Sequence, residues 1–429
     1  MPTDATHEQI TRVFEQESRI VIAALLATLC DIELAEDALQ DALVDALQQW
    51  PKRGIPNKPG AWLMTTARRK VIDRLRRAET AQKHLPTLGA LRTFERQVEQ
   101  EAQMSLAETQ PIPDERLKLI FTCCHPALAQ EAQVALTLQT VVGLPTDVIA
   151  RTFLVPKTTM AQRLVRTKRK IRDAGIPYEV PTVDKLDERL DAVLTVIYLI
   201  FNAGYTTPIS DDLIAVDLCE EAIHLGETLH RLLPTEHPEM MGLLALMRLH
   251  HARHRTRTAP DGSLILLEKQ NRTQWDHEAI NRAVEMLDQA MRHRKRGPFQ
   301  IQAAIAALHA TASTFETTDW TQIALLYHAL MDFSPSPVVA LNHAVSVAFS
   351  DSIGAGLQRL DELAQNREMA DYYLFHAARA DLLRRIGDYT EAQTAYRRAL
   401  TLCGNAVERR FLEKQLVAVS GEDPANDER

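Results

Sequence analysis

Apolar residues recur at helical spacing along most of the chain. In DIELAEDALQDALVDALQQW, Leu34, Leu39, Leu43, Leu47 and Trp50 form a stripe, with Asp37, Gln40, Asp41, Asp45 and Gln48 between them. That spacing predicts an amphipathic helix. The next stretch, PKRGIPNKPG, holds three prolines and two glycines and predicts a loop. AWLMTTARRKVIDRLRR then resumes the helical period through Leu63, Ala67, Val71 and Leu75. Residues 78–113 are polar, weakly periodic and close on AETQPIPDE, the pattern of a linker. From 114 to 172 the periodicity is broken at Gly143-Leu144-Pro145 and again at Leu154-Val155-Pro156. The prediction there is helix, turn, short helix, turn, long helix, a helix-turn-helix order. In the long helix Met160, Leu164 and Ile171 face the core, and Pro156 stands at its start, where a missing N–H costs nothing.

Beyond AGIPYEVP the chain turns acidic and rich in Ala and Leu, and residues 185–295 are predicted helical without a clear repeat. A repeat emerges later. GDYTEAQTAYRRALTL (387–402) places Gly387, Asp388 and Tyr389 at a turn and Ala392, Tyr396, Ala399 and Leu400 on an inward face. DWTQIALLYHAL puts Asp319, Trp320 and Tyr327 in the same register 69 residues earlier, and the stretch 340–364 is a degenerate middle unit. These segments resemble tetratricopeptide repeats of about 34 residues, two of which give the observed offset. A solenoid of helical hairpins is expected from about 300 to 415.

Composition narrows the class. Hydrophobic residues are 45% and charged residues 25% of 429, aromatics only 5%, and Gly only 15. Such a chain can build two or three cores and favours an all-α fold. No basic, apolar leader is evident at the start and no apolar run is long enough for a bilayer, so a cytoplasmic protein without membrane contact is expected. Five cysteines without framework spacing fit reduced thiols.

Charge changes the picture more. Residues 1–180 carry 24 bases and 22 acids, the rest 25 bases and 35 acids. Within 151–172 there are eight bases and no acid. The predicted third helix therefore exposes Lys157, Thr158, Thr159, Gln162, Arg163 and Arg166 on its first turns, where a recognition helix meets base edges and phosphates. Arg169, Lys170 and Arg172 lie farther along, within reach of phosphate only. A second basic face, Arg68, Arg69, Lys70, Arg74, Arg76 and Arg77, lies on the helix from 61 to 77. Two such helices joined by a linker suit a protein that grips two DNA elements at a set spacing.

Other features carry less. Cys123-Cys124-His125 lacks C-x-x-C geometry and a second ligand pair, which argues against a metal or redox role. His250-His251 and His254, beside Arg253, Arg255 and Arg257, could suggest metal or phosphate binding, but a solvated polar loop is the expectation. RHRKRG (292–297) could add a DNA or RNA contact but reads as an exposed helix end. VIYLIFNAGYTT (196–207) reads either as a buried helix ending at Gly204 or as a contact or ligand site. No phosphate-loop, nucleophile-elbow or zincin motif is present, which argues against an enzyme.

The first 175 residues resemble a bacterial extracytoplasmic-function (ECF, group IV) sigma factor with regions 2 and 4. LAEDALQDALVDALQQW resembles the helix that docks on the polymerase clamp. PGAWLMTTARRKVIDRLRR resembles the −10-reading helix with its Trp62, and GLPTDVIARTFLVPKTTMAQRLVRTKRKI resembles the region 4 helix-turn-helix. RLKLIFTCCHPALA, VLTVIYLIFNAGYTT and GIPYEVP resemble the subgroup with a C-terminal tetratricopeptide extension. The resemblance implies region 2 at 8–77, a linker at 78–113, region 4 at 114–175, a helical extension at 183–295 and repeats at 296–418. It implies core RNA polymerase (clamp and flap) and promoter DNA as partners, with no cofactor, no metal and no catalysis of its own. By position, Asp37, Gln40, Asp41 and Val44 would contact polymerase. Asn57, Trp62, Arg68, Arg69, Lys70 and Arg74 would capture the −10 element. Lys157, Thr158, Thr159, Gln162, Arg163 and Arg166 would read −35. The acidic repeats would bind a peptide, a protein or the sigma domains themselves, either masking DNA-facing helices or supporting activity. The alternatives are a stand-alone helix-turn-helix regulator with a repeat sensor and, more weakly, a thiol- or metal-dependent enzyme.

Overall fold

Alanine, not leucine, forms the seam between the first two long helices. In a computed structural model, α1 (Ile32–Arg53) and α2 (Pro59–Ala81) pack together. Ile32, Ala35, Ala38, Leu39, Ala42, Ala46 and Trp50 are the buried residues of α1. Small side chains let the helices approach closely, so the larger Leu34 and Leu43 flank the seam and Leu47 lies exposed. Leu63, Ala67 and Val71 answer from α2, each fully buried. Asp31 caps α1, accepting from the Leu34 N–H at 3.1 Å. The helix also runs through Pro51, so the predicted loop is confined to 54–58, where Gly54 turns the chain at φ +83°. The structure describes residues 31–81, 113–153, 155–205, 216–233, 235–259 and 262–421, with isolated positions between 17 and 29. The greater part of the expected linker, 82–112, lies outside the described residues.

The described residues are all-α, with one isolated bridge between Thr258 and Leu264. None of their helices is long and apolar enough to cross a membrane. Contact density separates Met1–Ile197 from Tyr198–Arg429. In the first unit, α3 (Pro113–Cys123) and α4 (Gln130–Thr137) lead into a π-helical turn (Leu138–Val142) that ends at left-handed Gly143. Next come α5 (Thr146–Thr152), α6 (Lys157–Asp173) and α7 (Val183–Tyr205). The division between units falls inside α7. Its first half belongs to unit one, where Arg189 donates to the Phe121 carbonyl at 2.7 Å.

In the second unit α8 (Val216–Leu232) precedes α9 (Pro238–His251), which is buried almost all round, from Met240 to Leu249 except Arg248. A helix apolar on every face belongs in a core, and the preceding helix and the next two pack against it. Gly242 lets α11 (Pro298–Thr311) press close: a Cβ there would stand 2.8 Å from the Gln300 backbone nitrogen. Glu239 of α9 also caps the start of α11, accepting from the backbone N–H groups of Phe299 at 2.9 Å and Gln300 at 3.1 Å. Between α9 and α10 (His277–Arg292) the stretch expected to be helical runs through turns over 252–276.

From α11 onward the helices pack in sequence: α12 (Trp320–Phe333), α13 (Pro337–Ser350), α14 (Ile353–Leu363), the short α15 (Arg367–Ala370), α16 (Tyr373–Arg385), α17 (Tyr389–Leu402) and α18 (Ala406–Ser420). Three successive apolar clusters run along them, around Ile323, Leu360 and Tyr396. Asp319 and Asp388, in register 69 residues apart, cap α12 and α17 alike, each accepting from the N–H three residues on. Ala392, Tyr396 and Ala399 point inward as expected, while Tyr389 is exposed.

Burial leaves a pH signature in this unit. His309 is driven down from its ordinary value to about 4 by desolvation and by Arg253 and Arg272. Half-buried His250 is driven down too, by desolvation and by Arg253 and Arg257. A neutral native imidazole gives stability that is whole above the unfolded value of 6.5 and is lost as pH falls toward 4. For His309 this amounts to at most about 3 kcal/mol. Thermal melts between pH 7 and 4 should show the loss, and His309→Gln should flatten the dependence; an unchanged slope would contradict it.

Candidate functional site

The residues expected to meet polymerase and DNA sit on two surfaces of the first unit. On α1, Asp37 and Gln40 are exposed and Asp41 is half-buried. Val44 is exposed at 49% and Leu47 at 37%. Two apolar side chains thus stand in water beside acids. On the neighbouring helix Arg69 is exposed, while Arg68, Lys70 and Arg74 are half-buried; Asn57 is exposed in the preceding turn.

The structure joins these two sets. Arg74 forks between Asp37 and Asp41, its Nη2 donating to Asp41 at 2.8 Å, and Lys70 meets Asp45 at 2.7 Å. Arg74, assigned by position to DNA, thus pairs with two acids assigned to polymerase across the α1–α2 seam, and Lys70 pairs with Asp45 beside them. Trp62 is half-buried, its ring 5.3 Å from that of Trp50 and edge-on to it. It locks the seam while leaving part of its surface exposed.

The second surface is the start of α6. Lys157, Thr158, Gln162, Arg163 and Arg166 are exposed and Thr159 half-buried; Met160, Leu164 and Ile171 are buried beneath them. This is the division that the spacing predicts. Lys157 stands 3.9 Å from Asp147 and Arg163 3.4 Å from Glu131, both exposed pairs. Such pairs contribute little and exchange readily for phosphate. Arg166 has no ion-pair partner among the described residues.

Lys168 is the residue that sequence reasoning missed. It is buried, and it pairs with Glu36 of α1, tying the two surfaces together. Desolvation raises the Glu36 proton affinity, against the charge and hydrogen bond of Lys168. Arg172 extends the contact toward Asp31 and Glu33, each at 3.8 Å. The signal was available: position 168 follows Met160 and Leu164 at intervals of four, on the core face, but only apolar residues were counted in that stripe.

The cysteine pair is structural in its surroundings. Cys123 and Cys124 are buried, and desolvation pushes both thiols up, Cys124 to about 12. A thiol held protonated at neutral pH is a poor nucleophile or ligand. Among the described residues, no group of three or more His, Cys, Asp or Glu is placed to hold a metal ion. The expected solvated loop at 250–257 is corrected in part: the chain does turn after His251 and Arg255 is exposed, but Arg253 is buried, because α9 is a core helix and delivers its end inward.

Comparison with known proteins places both units. Residues 13–80 match Sigma-70 region 2, and residues 189–291 match a family of unknown function, DUF6596. An uncharacterized protein of Rhizobium meliloti (strain 1021) is 43% identical over 402 residues, which cover 94% of this chain and 93% of that protein. No solved structure matches.

Proposed function

We infer the function from a chain that belongs to one family with the Rhizobium meliloti protein and that carries a Sigma-70 region 2 domain. Region 2 makes it a transcription initiation factor that acts with core RNA polymerase at promoter DNA. The finer reading is an ECF-type sigma factor with two DNA-facing elements. The α1 face, with Val44 and Leu47 beside Asp37, Gln40 and Asp41, docks on the polymerase clamp. The loop at Asn57, with Trp62, Arg68, Arg69, Lys70 and Arg74, takes the −10 element. The start of α6 works as the recognition helix of a helix-turn-helix and reads −35. The helices from α11 to α18 serve as a tetratricopeptide-like module that modulates the factor through a peptide, a protein or the sigma domains. Localisation in the cytoplasm follows from the partner.

The observation that carries this reading is the exposed basic start of α6. It stands on its own apolar stripe, in one unit with the region 2 helices. Val44→Asp tests the docking face without touching an internal pair. An apolar anchor at an interface centre is worth at least about 2 kcal/mol, and a tenfold change is 1.4 kcal/mol. Core polymerase should therefore bind the variant at least about 30-fold more weakly, measured by fluorescence anisotropy. Unchanged binding would move the docking face elsewhere.

A further inference from the structure

The polar run after α9 is partly interior, and its charges are oddly placed. Arg253 is 7% exposed. Its Cζ and that of Arg272 lie 5.5 and 4.7 Å from the ring centroid of Trp275. Arg257 stacks on Tyr205 at 3.6 Å, and the His250 ring is 5.1 Å from the same tyrosine. His309 feels both Arg253 and Arg272. Three guanidinium groups and two imidazoles therefore share one neighbourhood. Among the described residues, none of the three arginines has a carboxylate within ion-pairing distance.

Existing bonds use only part of the donor set. Arg253 Nη2 donates to His250 Nδ1 at 3.0 Å, and Arg257 Nη1 to the Tyr205 carbonyl at 2.8 Å. Arg272 Nη1 donates to the carbonyls of His309 and Ala312, at 2.6 and 2.7 Å, closing the end of α11. That leaves Arg253 Nε, Arg272 Nη2 and His309 Nδ1 buried without a partner. A buried charge without a counter-charge is costly, and buried donors are nearly always satisfied. Stacking on Trp275 and Tyr205 offsets some of the charge but supplies no acceptor. An anion supplies both.

We propose that this cluster is an oxyanion site of the second unit, where one small phosphate-class dianion accepts from Arg253 Nε, Arg272 Nη2 and His309 Nδ1. Arg257 adds positive potential from its stack on Tyr205. A dianion matches the excess charge better than a carboxylate, and a tetrahedral oxyanion can meet donors arriving from three separate side chains. The depth of Arg253 restricts the occupant to a small ion or a small phosphate ester. The site lies within the segment matched by the family of unknown function, apart from His309 of α11, and it owes nothing to the sigma surfaces.

The test is a thermal melt of the full chain at constant ionic strength, exchanging sodium chloride for inorganic phosphate or a nucleoside monophosphate. A saturable rise of about 5 °C at a hundredfold excess over Kd is expected. Arg253→Gln and Arg272→Lys should each weaken the apparent affinity at least about 10-fold; the second keeps the charge and loses the fork. If Arg253→Gln does not fold, Arg272→Lys carries the comparison. A stronger response to the ester identifies a phosphate ester as occupant, and an equal one identifies the free ion. Either supports the site. No saturable rise, or the same rise in both variants, overturns it, the latter by placing the anion elsewhere, as on the basic face of α6.

Discussion

Replacing Arg163 and Arg166 with Glu is expected to reduce transcription from the protein's own promoters by at least about 100-fold, with core polymerase binding intact. Both side chains are exposed on the first turns of α6. Neither supports the fold beyond the exposed Arg163–Glu131 pair. A residue reading a base contributes about 1–3 kcal/mol, and a factor of 100 needs only about 2.8. Charge reversal adds repulsion from phosphate, so the loss should deepen at low salt. Run-off yield from the wild type and the double variant, beside a polymerase-binding assay, separates the two effects. Equal yields would remove α6 from promoter reading. A parallel loss of polymerase binding would mean that the helix has another role.

The second large effect is on stability. Lys168→Met strands Glu36 next to a new apolar side chain. Breaking a buried pair by removing one partner costs about 3–5 kcal/mol. Glu36 retains some access to water and already holds its proton more tightly than a free carboxyl. It can neutralise, which places the cost at the low end, about 3 kcal/mol. The double variant Glu36→Gln, Lys168→Met should recover most of it, as both charges are then gone. Urea midpoints of the three proteins measure the cycle. A single variant as stable as the wild type would show that the α1–α6 contact contributes nothing.

That pair also shows where the sequence stopped being informative. Spacing alone located the stripe Met160, Leu164, Ile171, the breaks at Gly143 and Pro156, and the matched register of Asp319 and Asp388. Each is set by local geometry. The alanine seam of α1 was misjudged because Leu34, Leu43 and Leu47 weigh more on any hydrophobic scale, while close helix packing selects for size. Arg253 was assigned to solvent because its charge was read without the helix that carries it inward. Lys168 and Arg74 share that cause: the partners that bury or neutralise them lie 132 and 33 to 37 residues away. Of the proposed site, the recognition face was legible. The mutual neutralisation of Asp37, Asp41 and Arg74 was not, because both helices were read as surfaces for others.

The most direct measurement is transcription by purified bacterial core RNA polymerase, with and without the full chain, on fragmented genomic DNA. The prediction is a limited set of start sites that core polymerase alone never uses and that Val44→Asp abolishes. The same transcripts with and without the protein, while the protein alone still retains specific fragments, would contradict the account. That result would describe a DNA-binding regulator that acts without joining polymerase.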